Sequence, residues 1–484
     1  MKTIPRFSTL AQSVASAGIL LLTGCMAGPD FQTPESRLPP TWQQESSSHL
    51  VSEGVIAASW WDEFHDPILS QLIKQVSESN LDLKMAVERL NQTRAIFQSI
   101  ASERLPTVDG GISYTRGRSS EKGLADIAGL DGKDNFNVWD TGLDSTWELD
   151  LWGRVKRAVE AADAKVAVAD ADRQAVYLSL MGGAASSYIR LRGIQELLDV
   201  TRQNLETANK AVDLTQIKFE QGVATDLDVS QAAALRSSIQ ARIPALQQQA
   251  SETMNALSLL TAQPPASLNA LLEKNAPIPS LSHKIEMGVP SELAKRRPDI
   301  RRAEAELHAA TASIGVAKAN FYPSITLSGS VGFQANQLSD LGSWNTHRFS
   351  FGPSVSIPIF EGGRLKAMLK LSEGKQREAG LNYQQVVLAA WHEVDDAVSG
   401  LGNQERREAH LDEAVSQSKK ALASAQSQYK QGTTDYLNVL SVQNSLLANE
   451  SALASSKAAQ SLAAVRLYKA LGGGWTGSKA KYGK

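Results

Sequence analysis

The chain has 484 residues, 42% of them hydrophobic and 6% aromatic, and its formal net charge at pH 7 is −2. This length allows about two to four ordinary domains, or one duplicated body. No basic block or stripe is present, so the sequence lacks the electrostatic pattern of a nucleic-acid-binding protein and we expect no nucleic-acid partner. The aromatic content is low for a globular enzyme, and the Ala-, Gln-, Ser- and Glu-rich middle segments favour closely packed helices.

Residues 1–24 have the pattern of an export signal. Basic residues precede an apolar stretch, 14–22, that is too short to span a bilayer as a helix. Cys25 is the only cysteine and follows Leu-Thr-Gly, as at the cleavage site of a lipoprotein. A lone buried cysteine in a cytosolic protein is the alternative interpretation. We expect cleavage before Cys25 and acyl chains on its new N-terminus that anchor it to a membrane.

The mature chain begins with a predicted arm, residues 25–59, whose prolines and serines favour an extended conformation. A helix is predicted after Asp66-Pro67, because Asp is a good N-cap and Pro is favoured at the first helical position. Apolar residues at steps of three and four extend this helix to about Arg104.

The apolar period changes to two in residues 107–149 and again in 324–358, which predicts one β-hairpin in each region. One face of these strands is apolar and aromatic, and the other is small and polar. Such alternation fits a half-buried strand of a soluble sandwich. It also fits an outer-membrane barrel with a lipid-facing outside and a polar lumen. Four strands are fewer than the eight or so that a barrel needs, so a barrel would require several chains.

Each hairpin is followed by Gly-Arg, at 153 and 363, and then by a helical pattern of about 65 residues, or roughly 100 Å. The patterns end at near-copied segments, FEQGVATDLDVSQ around Gly222 and YKQGTTDYLNVLS around Gly432, offset by 432 − 222 = 210 positions. A return helix is predicted after each turn. Pro244 is expected to interrupt the first return helix, because proline removes a helix hydrogen bond.

These elements predict an internal duplication. Each repeat contains a helix, a β-hairpin, a long helix, a tip turn and a return helix. The first repeat covers residues 60–262 and the second 290–471, with a proline-rich linker at 263–289 and a tail at 472–484. The residues alone predict an α+β fold with internal structural duplication, and the family resemblance given next implies that it is an α+β membrane protein.

In this order, the segments resemble the outer membrane factors of Gram-negative bacteria, of the TolC and OprM type. Within that family the chain is similar to the lipoprotein branch that serves resistance-nodulation-division (RND) efflux pumps. The matching segments are Cys25 with Gly28-Pro29-Asp30-Phe31, Trp60-Trp61, Asp66-Pro67, Arg297-Pro298-Asp299-Ile300, Phe321-Tyr322-Pro323-Ser324, Pro358-Ile359-Phe360 with Gly363-Arg364, the tip 432–440, and Leu471-Gly472-Gly473-Gly474-Trp475.

The resemblance implies a homotrimer in which four strands from each chain close one 12-stranded barrel (3 × 4 strands). A long α-helical barrel with an equatorial domain would continue it into the periplasm. The implied function is a passive outer-membrane exit duct for drugs or other small toxic compounds, working with a periplasmic adaptor and an inner-membrane RND transporter. No enzyme activity is implied, and no cofactor beyond the diacylglycerol and N-acyl chains on Cys25.

Other functions stay open at this point. The outer-membrane channel of a type I protein secretion or metal-ion efflux system would be built alike. A periplasmic adaptor lipoprotein would also have a lipidated cysteine and a helical hairpin, but one hairpin only. No catalytic or phosphate-binding motif is present. Histidine and cysteine spacing gives no zinc site, and the acidic cluster Glu393, Asp395 and Asp396 is interpreted as a solvated or intersubunit face.

The resemblance places the two tip turns, with Gly222 and Gly432, at a narrow periplasmic mouth. A carboxylate repeated there in three subunits makes a ring that favours cations. One polar stripe is predicted on the second return helix, with three leucines on another face. The stripe consists of Thr434, Asn438, Ser441 and Ser445, and the leucines are Leu437, Leu440 and Leu447.

Asn438 and Ser441 stand where family members carry aspartates, so the candidate acids are Asp435, Asp226 and Asp228. Asp228 and Tyr429 match the positions that similar proteins use as a latch. We therefore hypothesise a hydrogen bond between them that closes the mouth until the adaptor untwists the inner hairpin. The alternative is that Asp228 only caps a helix.

Overall fold

The computed structural model describes residues 26–34, 48–52, 54, 56–118, 120, 135–281 and 284–474. The signal segment and Cys25 lie outside these residues, so the predicted lipidation stays a prediction. No helix in the described ranges is long and apolar enough to cross a membrane.

The helices and strands follow the predicted order. The helices are α1 Pro67–Ser79, α2 Leu81–Ala101, α3 Arg154–Glu220, α4 Asp226–Leu260, α5 Asn269–Leu272, α6 Leu293–Arg296, α7 Pro298–Ala319, α8 Arg364–Lys430 and α9 Tyr436–Ala470. The strands are β1 Val51–Ser52, β2 Thr107–Arg118, β3 Asn135–Glu148, β4 Ile285–Glu286, β5 Ser324–Ala335 and β6 His347–Ser356.

The described residues fall into two compact units. One combines residues 26–34 with the described parts of Asn91–Val168 and Glu304–Asn382, and it holds the strands β2, β3, β5 and β6. The other holds both tip turns and a core in which Trp60 stacks on Tyr468 with ring centroids 5.3 Å apart. Each sequence repeat contributes to both units, and the domain boundaries proposed from the repeats stay a prediction.

The first predicted helix is two helices, because Asn80 interrupts it. Asp66 caps α1 as predicted, its carboxylate accepting from the backbone N–H groups of Ile68 and Leu69. Asn80 has an extended ψ of 131° and cannot continue the helix. Its side chain instead accepts from the N–H of Leu83, which caps α2, and donates to the carbonyl of Leu260 at 2.8 Å.

The predicted interruption at Pro244 was wrong, since α4 continues through it. Proline removes one N–H, the donor to the carbonyl of Gln240 four residues earlier. Both residues are exposed, so water can satisfy that carbonyl. The other hydrogen bonds of this 35-residue helix keep the helix continuous at Pro244.

The two long helices α3 and α8 each contain 67 residues and begin at the predicted Arg154 and Arg364. Asp150 caps α3, because its carboxylate accepts from the N–H groups of Val155 and Lys156 at 3.0 and 2.7 Å. A helix of this length spans roughly 100 Å.

The predicted hairpins join into one antiparallel sheet in the order β2-β3-β5-β6. The join is the β3–β5 ladder, which pairs Leu143 with Val331 and Trp147 with Leu327. One face of the sheet is apolar and largely exposed in the single chain, with Phe351 81% exposed. The alternate positions are polar, and one of them, Arg348, pairs with Asp140 at 2.6 Å.

Residues 26–34 lie against the helices of their own unit. Gly28 has φ +90° and packs on Gly315 so closely that a Cβ on Gly28 would lie 2.6 Å from the Gly315 Cα. The Arg157 guanidinium donates to Asp30 and to the Ala27 carbonyl. Phe31 stacks on the ring of His308 at 4.4 Å. Residues 26–34 are therefore held in a defined place against these helices.

Candidate gate at the helical tip turns

The two tip turns, 219–225 and 429–435, share one backbone conformation. Gly222 and Gly432 have φ of +73° and +76°, and their N–H groups donate to the carbonyls of Phe219 and Tyr429. A Cβ at either glycine would meet nothing within 4 Å. Glycine is therefore required by the left-handed backbone that ends each long helix, and not by packing.

In the first tip turn, Asp228 forms a capping box with Thr225. The Asp228 Oδ2 accepts from the backbone N–H and the hydroxyl of Thr225, both at 2.8 Å, and the N–H of Asp228 donates back to the Thr225 hydroxyl at 3.3 Å. Asp226 lies in the same first turn of α4 and is exposed. The helix-capping role considered for Asp228 is thus present in this chain.

In the second tip turn, Asp435 is the N-cap of α9. Its carboxylate accepts from the N–H of Asn438 at 3.1 Å, and the Asn438 amide donates to the Thr434 hydroxyl at 3.3 Å. A carboxylate near a helix N-terminus is stabilised by the helix dipole. Two of the three candidate acids, Asp228 and Asp435, therefore also cap helices.

Two buried tyrosines stand at the two ends of the second tip turn. The rings of Tyr429 and Tyr436 are 5.5 Å apart, and neither hydroxyl has a hydrogen-bond partner. Burial raises the pKa of Tyr436 to about 12, with smaller contributions from Tyr429 and the negative charge of Asp228. Burial and the same Asp228 charge raise the pKa of Tyr429.

In this single chain Asp228 does not donate to or accept from Tyr429. All contacts of the Asp228 carboxylate in the capping box use Oδ2, and the Tyr429 hydroxyl is without a partner. The hypothesised latch bond would use Oδ1, and it requires the Asp228 carboxylate and the Tyr429 hydroxyl to move closer to each other.

The predicted polar stripe lies at the surface, with Asn438, Ser441 and Ser445 exposed and Thr434 half-buried. The apolar face differs from the prediction, because Leu437 is 51% exposed. The residues that turn inward are Tyr436, Val439, Leu446 and Leu447. The bulky ring of Tyr436 packs beside Tyr429 and sets which side of α9 is buried.

Sequence reasoning missed Tyr436 and Lys218. The 210-residue offset places Tyr436 on Asp226 (436 − 210 = 226). That mismatch between the two copies was a signal, since an aromatic replaces an acid in an otherwise similar turn. The sequence around Lys218 gives no comparable signal.

The acidic cluster near His392 contributes an ion pair. Glu393 accepts from the Arg297 guanidinium at 2.7 Å, and the same guanidinium binds Asp299 and the carbonyl of Ala470 at 2.7 Å each. In the part of the chain that the structure describes, no three potential metal ligands come together.

A four-stranded sheet with an open apolar face, two helices of 67 residues and paired tip turns define a subunit of an outer-membrane channel. The sequence profile described as "Outer membrane efflux protein" matches residues 72–263 and 289–473. The chain belongs to the outer membrane efflux protein family, and the adaptor alternative is thereby excluded.

Three relatives illustrate the likeness. The solvent efflux pump outer membrane protein SrpC of Pseudomonas putida is 31% identical over 97% of this chain and 99% of its own. The outer-membrane channel OprN has a TM-score of 0.88 at 34% identity, covering 93% of this chain and 100% of its own. The open state of the Neisseria gonorrhoeae channel MtrE has a TM-score of 0.82 at 28% identity, and the match covers 93% of this chain and 99% of the MtrE chain.

Proposed function

We propose that this chain is the exit duct of a tripartite RND efflux pump, embedded in the outer membrane and extending into the periplasm. It conducts drugs or other small toxic compounds passively, without a catalytic step and without a cofactor. Its partners are a periplasmic adaptor and an inner-membrane transporter. Solvents, the cargo in the name of SrpC, fall within this class of compounds.

The observation that carries this proposal is the open sheet. In the described chain β2 and β6 are its edge strands, and residues such as Ile112 and Phe351 on its apolar face are about four-fifths exposed. An open edge cannot lie in lipid, because each unpaired backbone group costs several kcal/mol there. Further copies of the chain remove both edges, and three copies of the four-stranded sheet make the 12-stranded barrel that the family resemblance implies.

The N-terminus is proposed to be a lipid anchor. Cleavage after residue 24 leaves acyl chains on Cys25, and more than one chain is needed for stable attachment to a bilayer. The docking of residues 26–34 supports this, because it fixes the anchor point relative to the strands of the same unit.

The gate is proposed to lie at the tip turns with Gly222 and Gly432. Its polar residues are Asp226, Asp228, Tyr429, Asp435, Asn438 and Ser441. In the closed mouth the Asp228 carboxylate and the Tyr429 hydroxyl would pair, and the adaptor would part the two hairpins.

The first test is the assembly. Unboiled protein from the outer-membrane fraction should run on a mildly denaturing gel as a heat-labile trimer. Deletion of the gene should sensitise cells to small toxic compounds, and Cys25→Ser should abolish the incorporation of labelled fatty acid into the protein. A soluble monomer would contradict the proposed duct.

The second test is the gate. The trimer should form channels in planar bilayers, and Asp228→Ala and Tyr429→Phe should raise the conductance if the hydroxyl latch closes the mouth. If both variants stay at the wild-type level, the latch hypothesis fails while the duct itself stands.

A further inference from the structure

The side chain of Lys218, which directly precedes the first tip turn, contacts the second tip turn. It lies in the last turn of α3, and its Nζ donates to the backbone carbonyl of Tyr429 at 2.5 Å. The same Nζ lies 4.0 Å from the centroid of the Tyr429 ring, within cation–π range. One ammonium group thus holds a residue 211 positions away by two kinds of contact.

The contact lies at the point where the second tip begins. Tyr429 is next to the end of α8, where the helix dipole is negative and attracts a cation. The Tyr429 carbonyl also accepts from the N–H of Gly432 at 3.2 Å, the hydrogen bond that closes the turn. The Tyr429 ring has both the Lys218 ammonium and the Tyr436 ring as neighbours, at 4.0 and 5.5 Å from its centroid.

We propose that Lys218 is the tether that holds the two hairpin tips of one subunit together in the closed mouth. This rests on the proposed gate and names the residue that keeps it shut. The tether uses the face of the Tyr429 ring and the backbone carbonyl, and it does not use the hydroxyl. Lys218 is a positioning residue, since it acts on the mouth through Tyr429.

The tether and the hydroxyl latch use different parts of Tyr429, so two substitutions separate them. Phenylalanine keeps the ring and the carbonyl but removes the hydroxyl, so Tyr429→Phe leaves the tether intact. Tyr429→Leu removes the aromatic face. The tether therefore predicts a larger open fraction for the leucine variant than for the phenylalanine variant, whether or not the hydroxyl contributes.

The experiment is single-channel recording of the purified trimer in planar bilayers. Lys218→Met and Tyr429→Leu should raise the open fraction roughly tenfold, the effect of losing a charge-assisted hydrogen bond. Lys218→Arg should stay near the wild type, and Tyr429→Phe should open the channel less than Tyr429→Leu. The matched control is Lys210→Met, because Lys210 pairs with Glu206 on the same helix at the exposed surface.

Because Cys25 is the only natural cysteine, Lys218→Cys allows a test within one folded protein. The cysteine variant should be open, and attachment of an aminoethyl group by a methanethiosulfonate reagent should close it by restoring the ammonium. A neutral methyl reagent should not. A Lys218→Met channel with wild-type gating, or closure by the neutral reagent, overturns the tether. Absence of trimers in the wild type would instead contradict the proposed duct.

Discussion

The Arg157 guanidinium donates a 2.6 Å hydrogen bond to the carboxylate of Asp30, and only 2% of the Arg157 side chain is exposed. The pair joins the segment after Cys25 to the start of α3. Glu160 accepts from the same guanidinium at 2.7 Å, so the buried cation has two anionic partners. This pair therefore holds residues 26–34 against the helices of the unit that contains the sheet.

Asp30→Ala should release residues 26–34 from the helices. We expect a loss of about 1 kcal/mol in the free energy of local opening, because the Asp30 side chain is 82% exposed and Arg157 keeps Glu160 as a partner. Limited proteolysis and hydrogen exchange of the segment would measure it. Asp172→Ala is the matched control, since Asp172 pairs at 3.2 Å with Arg302 and both side chains are about half exposed, where ion pairs contribute at most about 1 kcal/mol. Equal effects would contradict a docked arm.

Pro244→Ala should strengthen α4. The substitution restores the missing N–H donor to the Gln240 carbonyl and removes the clash of the proline ring, which together disfavour a helix by up to about 3 kcal/mol. Slower hydrogen exchange in residues 236–248 is the expected result. Unchanged exchange rates would mean that the helix is already fully relaxed around the proline.

The Tyr436 hydroxyl should lose its proton only at a higher pH than an ordinary tyrosine. Its pKa of about 12 lies above the ordinary 10.0, so the folded tip retains a proton that an unfolded tyrosine loses. The associated stability is complete below pH 10 and is lost as the pH rises toward 12, by about 2–3 kcal/mol in all. The difference in tyrosinate absorbance between the wild type and Tyr436→Phe isolates this group. Asp228→Asn should lower the pH midpoint of the Tyr436 titration, since the Asp228 charge contributes to the shift. A midpoint near pH 10 in the wild type would contradict the buried placement of Tyr436.

Ser441→Asp should make the channel more cation-selective. Ser441 is exposed on the polar stripe of α9, and in a trimer one new carboxylate becomes a ring of three. Reversal potentials in a salt gradient give the selectivity, and Ser445→Asp, one turn further along the stripe, serves as comparison. Strong cation selectivity in the wild type that survives Asp435→Asn would show that the ring lies elsewhere.

The sequence alone determined the features that depend on neighbouring residues. Gly222 and Gly432 specify their turns because a left-handed backbone favours glycine wherever it occurs. Asp66 before Pro67 starts a helix because the cap bonds reach only two or three residues ahead. Alternation of apolar and polar residues likewise identified the strands, since successive side chains point to opposite faces.

The tertiary structure decided what depends on distant partners. The break at Asn80 follows from its bond to Leu260, and the ladder of Leu143 with Val331 joins strands from different repeats. Lys218 meets Tyr429 across 211 positions of sequence. Each of these contacts has an energy set by packing and by the local electrostatic environment, which periodicity and spacing along one chain do not encode.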